Sequence, residues 1–198
     1  RYSHDPETLT PTGLYLEPAA TNLLRHNNDP ANSVWFKSNT SVLSETTTGP
    51  DLSSVPWIEI TDYISQDIPS PSSGTTYTTS VWLKAETACT ITFRSMYTPS
   101  INTDINVTTE WKRFSITGTY SSSHLRCMLD NRSNTTANTV KIALWGAQIE
   151  TGSVATSTIK TLGATSGVTR AADIFTSTAT EVLDRANGTK PAFYTKNG

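Results

Sequence analysis

The residues of this sequence best suited to chemistry are tryptophans that alternate with aliphatic side chains. Trp57, Trp82 and Trp145 each stand beside aliphatic residues in runs whose side chains point alternately to the two faces of a strand. If the aliphatic residues face a core, the indole rings face away from it. Arg94 and Arg113 hold equivalent outward positions in two other runs. Indole rings stack on the apolar C–H patches of sugars while arginine binds hydroxyl groups, so these residues predict a shallow saccharide site.

Two alternatives stay open for this set of residues. The strand order cannot be read from the sequence, so only those residues that share one sheet can share a ligand. The irregular segments at the two ends of the chain, 1–21 and 151–198, are also long enough to cover the tryptophans and form a second small core. Trp145 fits both interpretations equally, whereas Trp35 and Trp111, near strand ends, fit a structural role better.

Catalytic motifs are missing from the sequence. It has no Gly-x-Ser-x-Gly elbow, no Gly-rich phosphate loop and no His-Glu-x-x-His pair. Ser3-His4-Asp5 contains the residue types of a triad, but neighbouring strand residues point apart. Glu59 and Glu86 are nominal acids for glycoside hydrolysis, which needs two carboxyl groups flanking one cleft, and nothing in the sequence places them together. We therefore expect a protein that binds and does not catalyse.

No cofactor is expected. A calcium ion needs several oxygen ligands close together. Asp5, Glu17, Asp29 and Asp173 are conceivable contributors to a structural calcium site, but no loop has the dense Asp spacing of such a site. Structural calcium is therefore kept only as an alternative.

The composition favours a single all-β domain. The 198 residues match one large sandwich or barrel, and five Trp, seven Tyr and five Phe supply a core. Charged residues make up only 16% because Ser and Thr are abundant, which suits strands better than helices. The net charge of −2 argues against nucleic-acid binding, and no apolar run is long enough to span a bilayer.

Short strand-like runs recur from residue 22 onward, separated by turn residues such as Thr48-Gly49-Pro50-Asp51. No convincing helix precedes residue 170, although 171–187 has the composition for a short one. The predicted strands lie near 33–43, 55–64, 76–85, 88–97, 111–119, 124–130 and 139–150.

Alternation within these runs predicts an antiparallel two-sheet jelly-roll β-sandwich. A shift by one residue would turn every core side chain outward, so the pattern fixes which residues are buried between the sheets. The expected core contains Val81, Leu83, Ile91, Phe93, Phe114, Ile116, Ile142 and Leu144.

The two cysteines, Cys89 and Cys127, are too few for a disulfide framework. Each lies in a predicted strand, where free cysteine commonly packs as a small buried hydrophobe. We expect both thiols to be free, with a Cys89–Cys127 bridge as the alternative.

Several stretches resemble known families. Asn22-Leu23-Leu24 followed by Trp35, then 74–85, then Trp111-Lys112-Arg113, resembles jelly-roll, galactose-binding-like carbohydrate-binding modules attached to glycoside hydrolases. Further stretches resemble domains of bacteriophage tail-fibre, tailspike and prophage tail proteins, over about residues 1–173. They are 1–6 with 16–24, Leu144-Trp145-Gly146-Ala147-Gln148-Ile149-Glu150, and 163–173.

This resemblance implies a phage tail-fibre or related virion protein, made in the bacterial cytoplasm, whose sandwich binds bacterial cell-surface polysaccharide during host attachment. The alternative is a structural adaptor of a fibre that binds no sugar, and a hydrolase is a third interpretation. The binding domain would span 1–173, with 174–198 as an extension or linker. Since the N-terminus has no initiator Met, we expect an excised piece of a longer protein with neighbouring virion domains.

The oligomeric state follows partly from the same resemblance. Similar fibres and spikes are usually homotrimers, so the full-length protein is expected to be a homotrimer. The chain has no heptad seam for a coiled coil. We therefore expect the isolated domain to be a monomer or weak oligomer.

Overall fold

The computed structural model describes residues 2–4, 11–14, 16–68, 71–96, 101–120, 125–133 and 138–174. Every regular element in these ranges is a β-strand. The strands in chain order are β1 (Tyr2–His4), β2 (Pro11–Leu14), β3 (Ala20–Asn22), β4 (Phe36–Thr48), β5 (Ser54–Ile68), β6 (Thr76–Ala85), β7 (Cys89–Met96), β8 (Ile101–Val107), β9 (Lys112–Thr119), β10 (Leu125–Asp130), β11 (Val140–Thr151) and β12 (Val168–Arg170).

The chain divides into two units. The terminal unit is made of Arg1–Ala19 with Ala171–Gly198, and the sandwich unit is Ala20–Arg170. In the terminal unit β1 pairs antiparallel with β2. There the Glu17 amide donates to the Asp173 carboxylate at 3.0 Å, and the Asp173 amide donates to the Glu17 carbonyl at 2.9 Å.

The sandwich unit is an antiparallel jelly-roll β-sandwich, as the alternation predicts. Eight strands form a sheet in the order β8-β7-β10-β5-β11-β6-β9, and β4 pairs with the other edge of β5. Strand β5 belongs to both layers, because its residues 57–60 pair with β11 and its residues 63–68 pair with β10. Strand β4 follows β5 from Phe36 opposite Ser65 to Thr48 opposite Ser54, so it also belongs to both layers. One layer therefore holds the start of β4, the second half of β5, β10, β7 and β8. The other holds the rest of β4, the first half of β5, β11, β6 and β9.

The predicted core lies between these layers. Six of the eight expected core residues are at most 1% exposed. Phe114 and Ile116 are only half-buried against the core, because β9 ends the sheet order and is packed from one side. Trp35 also enters the core at 2% exposure, and its indole donates to the His26 carbonyl at 3.0 Å.

Some elements were not predicted from the sequence. Strand β8 has polar residues at its outward positions and lies at a sheet edge, so its pattern is typical of a loop. Strands β3 and β12 have three residues each, too few for an alternation. Strands β4 and β5 continue to Thr48 and Ile68, beyond the predicted ends. Residues 171–174 are not helical, and the rest of the helix considered over 171–187 lies outside the described residues.

Both thiols are free in the structure, and we predict that they remain so in solution. Cys127 is fully buried in the core, and burial raises the pKa of its thiol to about 12. Half-burial also raises the pKa of Cys89. Thiol titration of the denatured, unreduced protein should therefore find two groups, whereas finding none would mean that the cysteines are bridged.

Asn131 directly follows β10. It lies between the part of β5 that pairs with β10 and the part that pairs with β11. Its buried Nδ2 donates to the carbonyls of Ile60 and Asn138 at 3.1 and 3.3 Å, and its amide donates to the Asp62 carbonyl at 2.7 Å. We predict that Asn131→Leu lowers the free energy of unfolding in urea by about 1–3 kcal/mol, because buried acceptors lose their donor. The exposed control Asn106→Ala should change it by less than about 0.5 kcal/mol. Equal effects of the two substitutions would contradict this role.

Candidate functional site

The first outward surface of the sandwich, which we call the groove face, belongs to the layer of β10, β7, β8, the start of β4 and the second half of β5. The even-numbered positions of β5 face the core, so Tyr63, Ser65 and Asp67 point outward. Phe36 on β4 lies opposite Ser65, and Arg126 on β10 lies opposite Asp67. The strand register thus brings aromatic and charged side chains together on one surface.

A cavity of about 360 Å³ opens on the groove face. Phe36 is 60% exposed, and its ring stacks on Tyr63 with centroids 5.6 Å apart and planes inclined by 24°. The Arg132 guanidinium lies 4.5 Å from the centroid of the same Tyr63 ring. The cavity is lined by Val34, Phe36, Tyr63, Ser65, Asp67 and Arg126. Its chemistry combines apolar walls with a few placed polar groups, as in small-molecule sites generally.

Ion pairs fix the arginines of the groove face. Arg126 donates to Asp67 at 2.8 Å. The buried carboxylate of Asp130 accepts from Arg94 at 2.8 Å and from Arg132 at 2.9 and 3.0 Å. Burial alone would raise the pKa of Asp130, but the hydrogen bonds and charge of Arg132, together with Arg94, hold it below its ordinary value. The carboxylate is therefore ionised at neutral pH and orients both arginines.

The second outward surface, which we call the tryptophan face, belongs to the other layer. Trp57, Trp82 and Trp145 come from β5, β6 and β11, and Trp111 immediately precedes β9. The register places Trp82 between Trp145 on one side and Arg113 on the other. All of these residues lie opposite the aliphatic positions of their strands, as the sequence predicts.

The tryptophan face has a small apolar interior of its own. Trp145 is 6% exposed and packs with the buried Val55 and Ala143. Its ring meets Trp82 edge-to-face, with centroids 6.5 Å apart and planes inclined by 71°. The Trp111 indole donates to a backbone carbonyl at 2.8 Å, whereas the buried Trp145 indole finds no acceptor among the residues described.

Part of the tryptophan face is covered by the segment 152–161. The buried Glu150 carboxylate anchors this segment by accepting from the Thr156 hydroxyl and amide at 2.5 and 3.1 Å. The segment passes so close to β11 that a Cβ at Gly146 would lie 2.9 Å from the Thr158 methyl and 3.3 Å from the Trp82 ring. Gly146 also has a φ of 62°, where glycine is favoured. The cover therefore ends at the edge of Trp82.

The structure divides the predicted site residues between the two faces. Trp57, Trp82, Trp145 and Arg113 share the tryptophan face, while Arg94 lies on the groove face, where it binds Asp130. Of the four tryptophans on this face, Trp145 is buried, whereas Trp57, Trp82 and Trp111 stay partly exposed.

The aromatic pair of the groove face, Phe36 and Tyr63, and its neighbour Arg126 were not predicted as site residues from the sequence. Tyr63, Ser65 and Asp67 occupy alternate positions, but the predicted strand ended at 64, because the polar Gln66 stands at a core position and interrupts the apolar pattern. Extending the strand by four residues would have found this surface.

Glu59 and Glu86 are exposed on either side of Lys141, and Lys141 binds Glu86 at 2.8 Å. Within the described ranges no group of three or more His, Cys, Asp or Glu residues is placed to hold a metal ion. Of the calcium candidates, Glu17 and Asp173 belong to the terminal unit, Asp29 belongs to the sandwich unit, and Asp5 lies outside the described residues. These ranges also contain no helix long and apolar enough to cross a membrane.

Comparison with known proteins identifies similar solved structures, whereas no family model and no curated protein matches the chain. The N-terminal CBM22-1-CBM22-2 tandem domain of Paenibacillus barcinonensis Xyn10C is 14% identical, with a TM-score of 0.50, over 71% of this chain and 49% of that one. TmCBM61, solved with beta-1,4-galactotriose, is 12% identical with a TM-score of 0.48, over 65% and 97%. The enzymatically active domain of bacteriophage CBA120 tailspike protein 4 is 11% identical with a TM-score of 0.44, over 66% and 21%. At these identities the likeness is one of fold.

The ion pairs of Asp130 predict an acid-sensitive contribution to stability. Because the folded state lowers the pKa of Asp130, its contribution is complete above the unfolded pKa of about 3.9 and is lost as the pH falls through the lower folded value. Asp130→Asn should cost about 1.5–3 kcal/mol of unfolding free energy at pH 7, a difference that shrinks towards pH 2. The exposed Asp104→Asn, which keeps an acceptor for Thr92, is the control and should cost less than about 0.5 kcal/mol. A cost at Asp130 that is independent of pH would exclude the ion-pair explanation.

Proposed function

We propose that this chain is a non-catalytic carbohydrate-binding module that holds a sugar in the groove face. The observation that carries the proposal is the exposure of Phe36. A phenyl ring that is 60% exposed and stacked on Tyr63 beside a cavity of about 360 Å³ offers an apolar platform to a ligand. A sugar ring presents C–H patches to such a platform and hydroxyl groups around its edge.

The polar groups of the groove suit those hydroxyl groups. Asp67 is 43% exposed and can accept hydrogen bonds, while Arg126 is held at 2.8 Å by the same carboxylate. Arg132 is 47% exposed and lies over the Tyr63 ring, with its position fixed by Asp130. Because these side chains are already ordered by ion pairs, a ligand does not have to order them on binding.

The fold supports the same proposal. The tandem CBM22 modules share the architecture of the sandwich unit at a TM-score of 0.50. A fold hosts many functions, so the sugar-binding role rests on the groove and not on the fold.

The finer proposal is that the module belongs to a phage tail fibre or related virion protein and recognises bacterial surface polysaccharide. It rests on the three stretches that resemble phage tail proteins, at 1–6 with 16–24, at 144–150 and at 163–173. One stacked sugar with a few hydrogen bonds corresponds to a dissociation constant on the order of 0.1–1 mM, about 4–5 kcal/mol. Repetition on a homotrimeric fibre would raise the avidity without new contacts. A structural adaptor remains the competing role.

We predict that Phe36→Ala weakens saccharide binding at least about tenfold, because it removes the stacking platform. Its melting temperature should change little, since the ring is mostly exposed. The measurement is a glycan array on the purified chain, followed by calorimetric titration of the best ligand against the wild type and the variant.

Leu52→Ala is the matched control for this experiment. Leu52 is 85% exposed but lies at the turn between β4 and β5, at the far end of the hairpin from Phe36. It should bind as the wild type does. If the array finds no glycan, or if Leu52→Ala weakens binding as much as Phe36→Ala, the adaptor role is favoured instead.

A further inference from the structure

Lys37 lies on the core side of strand β4. It stands opposite the fully buried Ile64 in the register, whereas its neighbour Phe36 stands opposite Ser65 on the groove face. Residues directly opposite each other in an antiparallel pair project from the same side of the sheet. A lysine at such a position needs partners for its ammonium, because a charge withdrawn from water is costly without them.

Backbone carbonyls supply those partners. The Lys37 Nζ donates to the carbonyl of Trp35 at 2.8 Å, to those of Pro30 and Asn32 at 3.0 Å each, and to that of Ala31 at 3.5 Å. An ammonium has three N–H donors and no acceptor, so the three shorter bonds satisfy it. All four acceptors belong to the segment 30–35, which leads into β4. We call this segment the carbonyl cage.

Tight turns aim the carbonyls of the cage at the ammonium. The amides of Asn32 and Trp35 donate to the carbonyls of Asp29 and Asn32 at 3.2 and 3.1 Å. The Asn32 side chain accepts from the Val34 amide at 3.1 Å. These bonds bend the segment, but carbonyl oxygens that converge on one point repel each other unless a positive charge stands among them. The Lys37 ammonium provides that charge.

The geometry of the cage suits an ammonium or another monovalent cation better than calcium. Calcium takes roughly six to eight oxygen ligands at about 2.3–2.6 Å, with carboxylates among them. The cage presents four carbonyls at 2.8–3.5 Å. Burial lowers the pKa of Lys37, and the charge of the Asp29 carboxylate opposes that shift. Asp29, one of the residues considered for calcium, thus stabilises the ammonium form of the lysine.

The cage also forms one wall of the groove. Val34 lies within the cage and Phe36 follows it, and both line the cavity of the groove face. The Phe36 ring is 60% exposed and stacks on Tyr63 alone among the aromatic rings described. Its position therefore depends on the backbone on either side, which is the cage before it and Lys37 after it. Movement of the cage would displace Val34 and Phe36 together.

We propose that Lys37 is the positioning residue of the groove and that its ammonium serves as the built-in cation of the carbonyl cage. Its effect on sugar binding rests on the proposed function, whereas the cage does not. The lysine supplies through a covalent tether the charge that a dissolved cation would otherwise have to supply. The groove is therefore ordered before a sugar arrives, whatever ions the solution contains. Without the lysine side chain, the same carbonyls form a site for ammonium or potassium.

Lys37→Ala tests the cage by emptying it. In tetramethylammonium chloride, whose cation is too large for the site, the variant should melt at least about 3 °C below the wild type, because the carbonyls lose their donors. Ammonium chloride at the same ionic strength, about 0.3 M, should raise the melting temperature of the variant by at least about 2 °C relative to the wild type. If the variant is unfolded in the first salt, recovery of its folded state in ammonium chloride is the same test.

Two further variants serve as controls for the ammonium response. Lys37→Met fills the cage with an uncharged chain, so it should be destabilised without responding to ammonium. Lys112→Ala removes an exposed lysine that lies over the Phe114 ring, and it should respond no more than the wild type does. Calcium chloride at equal ionic strength should not restore Lys37→Ala. A response of Lys37→Ala to calcium but not to ammonium would overturn the assignment of the cage to a monovalent cation.

Amide hydrogen exchange tests the positioning role without a sugar. Exchange in 31–36 should be about tenfold faster in Lys37→Ala and slow again in ammonium chloride, whereas strand β11 should be unaffected. Calorimetric titration with the best glycan from the array should show at least about threefold weaker binding by Lys37→Ala, restored by ammonium. An array without any glycan ligand would contradict the proposed function and leave hydrogen exchange to decide the positioning role. Lys37→Ala that gains nothing from ammonium in melting or exchange, or that binds the glycan as the wild type does, would overturn the proposal.

Discussion

Both outward faces take their orientation from the alternation of strand β5. Its odd-numbered positions supply Val55 and Trp57 to the tryptophan face and Tyr63, Ser65 and Asp67 to the groove face. Its isoleucines Ile58, Ile60 and Ile64 enter the core at 0% exposure. Full burial of one such side chain is worth about 1.5–3 kcal/mol, so a shift of register by one residue would lose several of these contributions together. The burial of the core therefore holds both faces in place.

Alternation predicts from the sequence which side chains face the core and which face outward. It does not predict which strands pair with each other. The outward positions of Trp57, Trp82 and Trp145 follow from local pattern alone. The extension of β5 does not, because Gln66 is a polar residue at a core position. Its side chain is 2% exposed and exchanges two hydrogen bonds with the backbone of Arg25, at 2.7 and 2.8 Å. A partner 41 residues away leaves no signal in the local sequence.

The segment 152–161, which covers part of the tryptophan face, also depends on hydrogen-bond partners that are distant in the sequence. Asn22 donates to the carbonyls of Ala147 and Ile159 at 3.0 and 3.1 Å, and so joins the start of the sandwich unit to β11 and to the segment 152–161. These bonds span 125 and 137 residues. Buried polar groups need such partners, so once the chain is folded they fix an irregular segment that has little apolar content of its own. Sequence patterning detects periodic strands and overlooks segments of this kind.

Charge pairing, more than aromatic content, distinguishes the two faces. In the groove, Arg126 is paired with Asp67, and Arg94 and Arg132 share Asp130, so the arginines are held in place before a ligand arrives. Such a surface suits hydroxyl groups, which need oriented donors and acceptors. On the tryptophan face Glu45 and Glu86 bind Lys141, and the buried Glu150 carboxylate accepts from Thr156. The two aromatic surfaces therefore differ in how their charged side chains are held, because carboxylates orient arginines in the groove, whereas a lysine and Thr156 hold carboxylates on the tryptophan face.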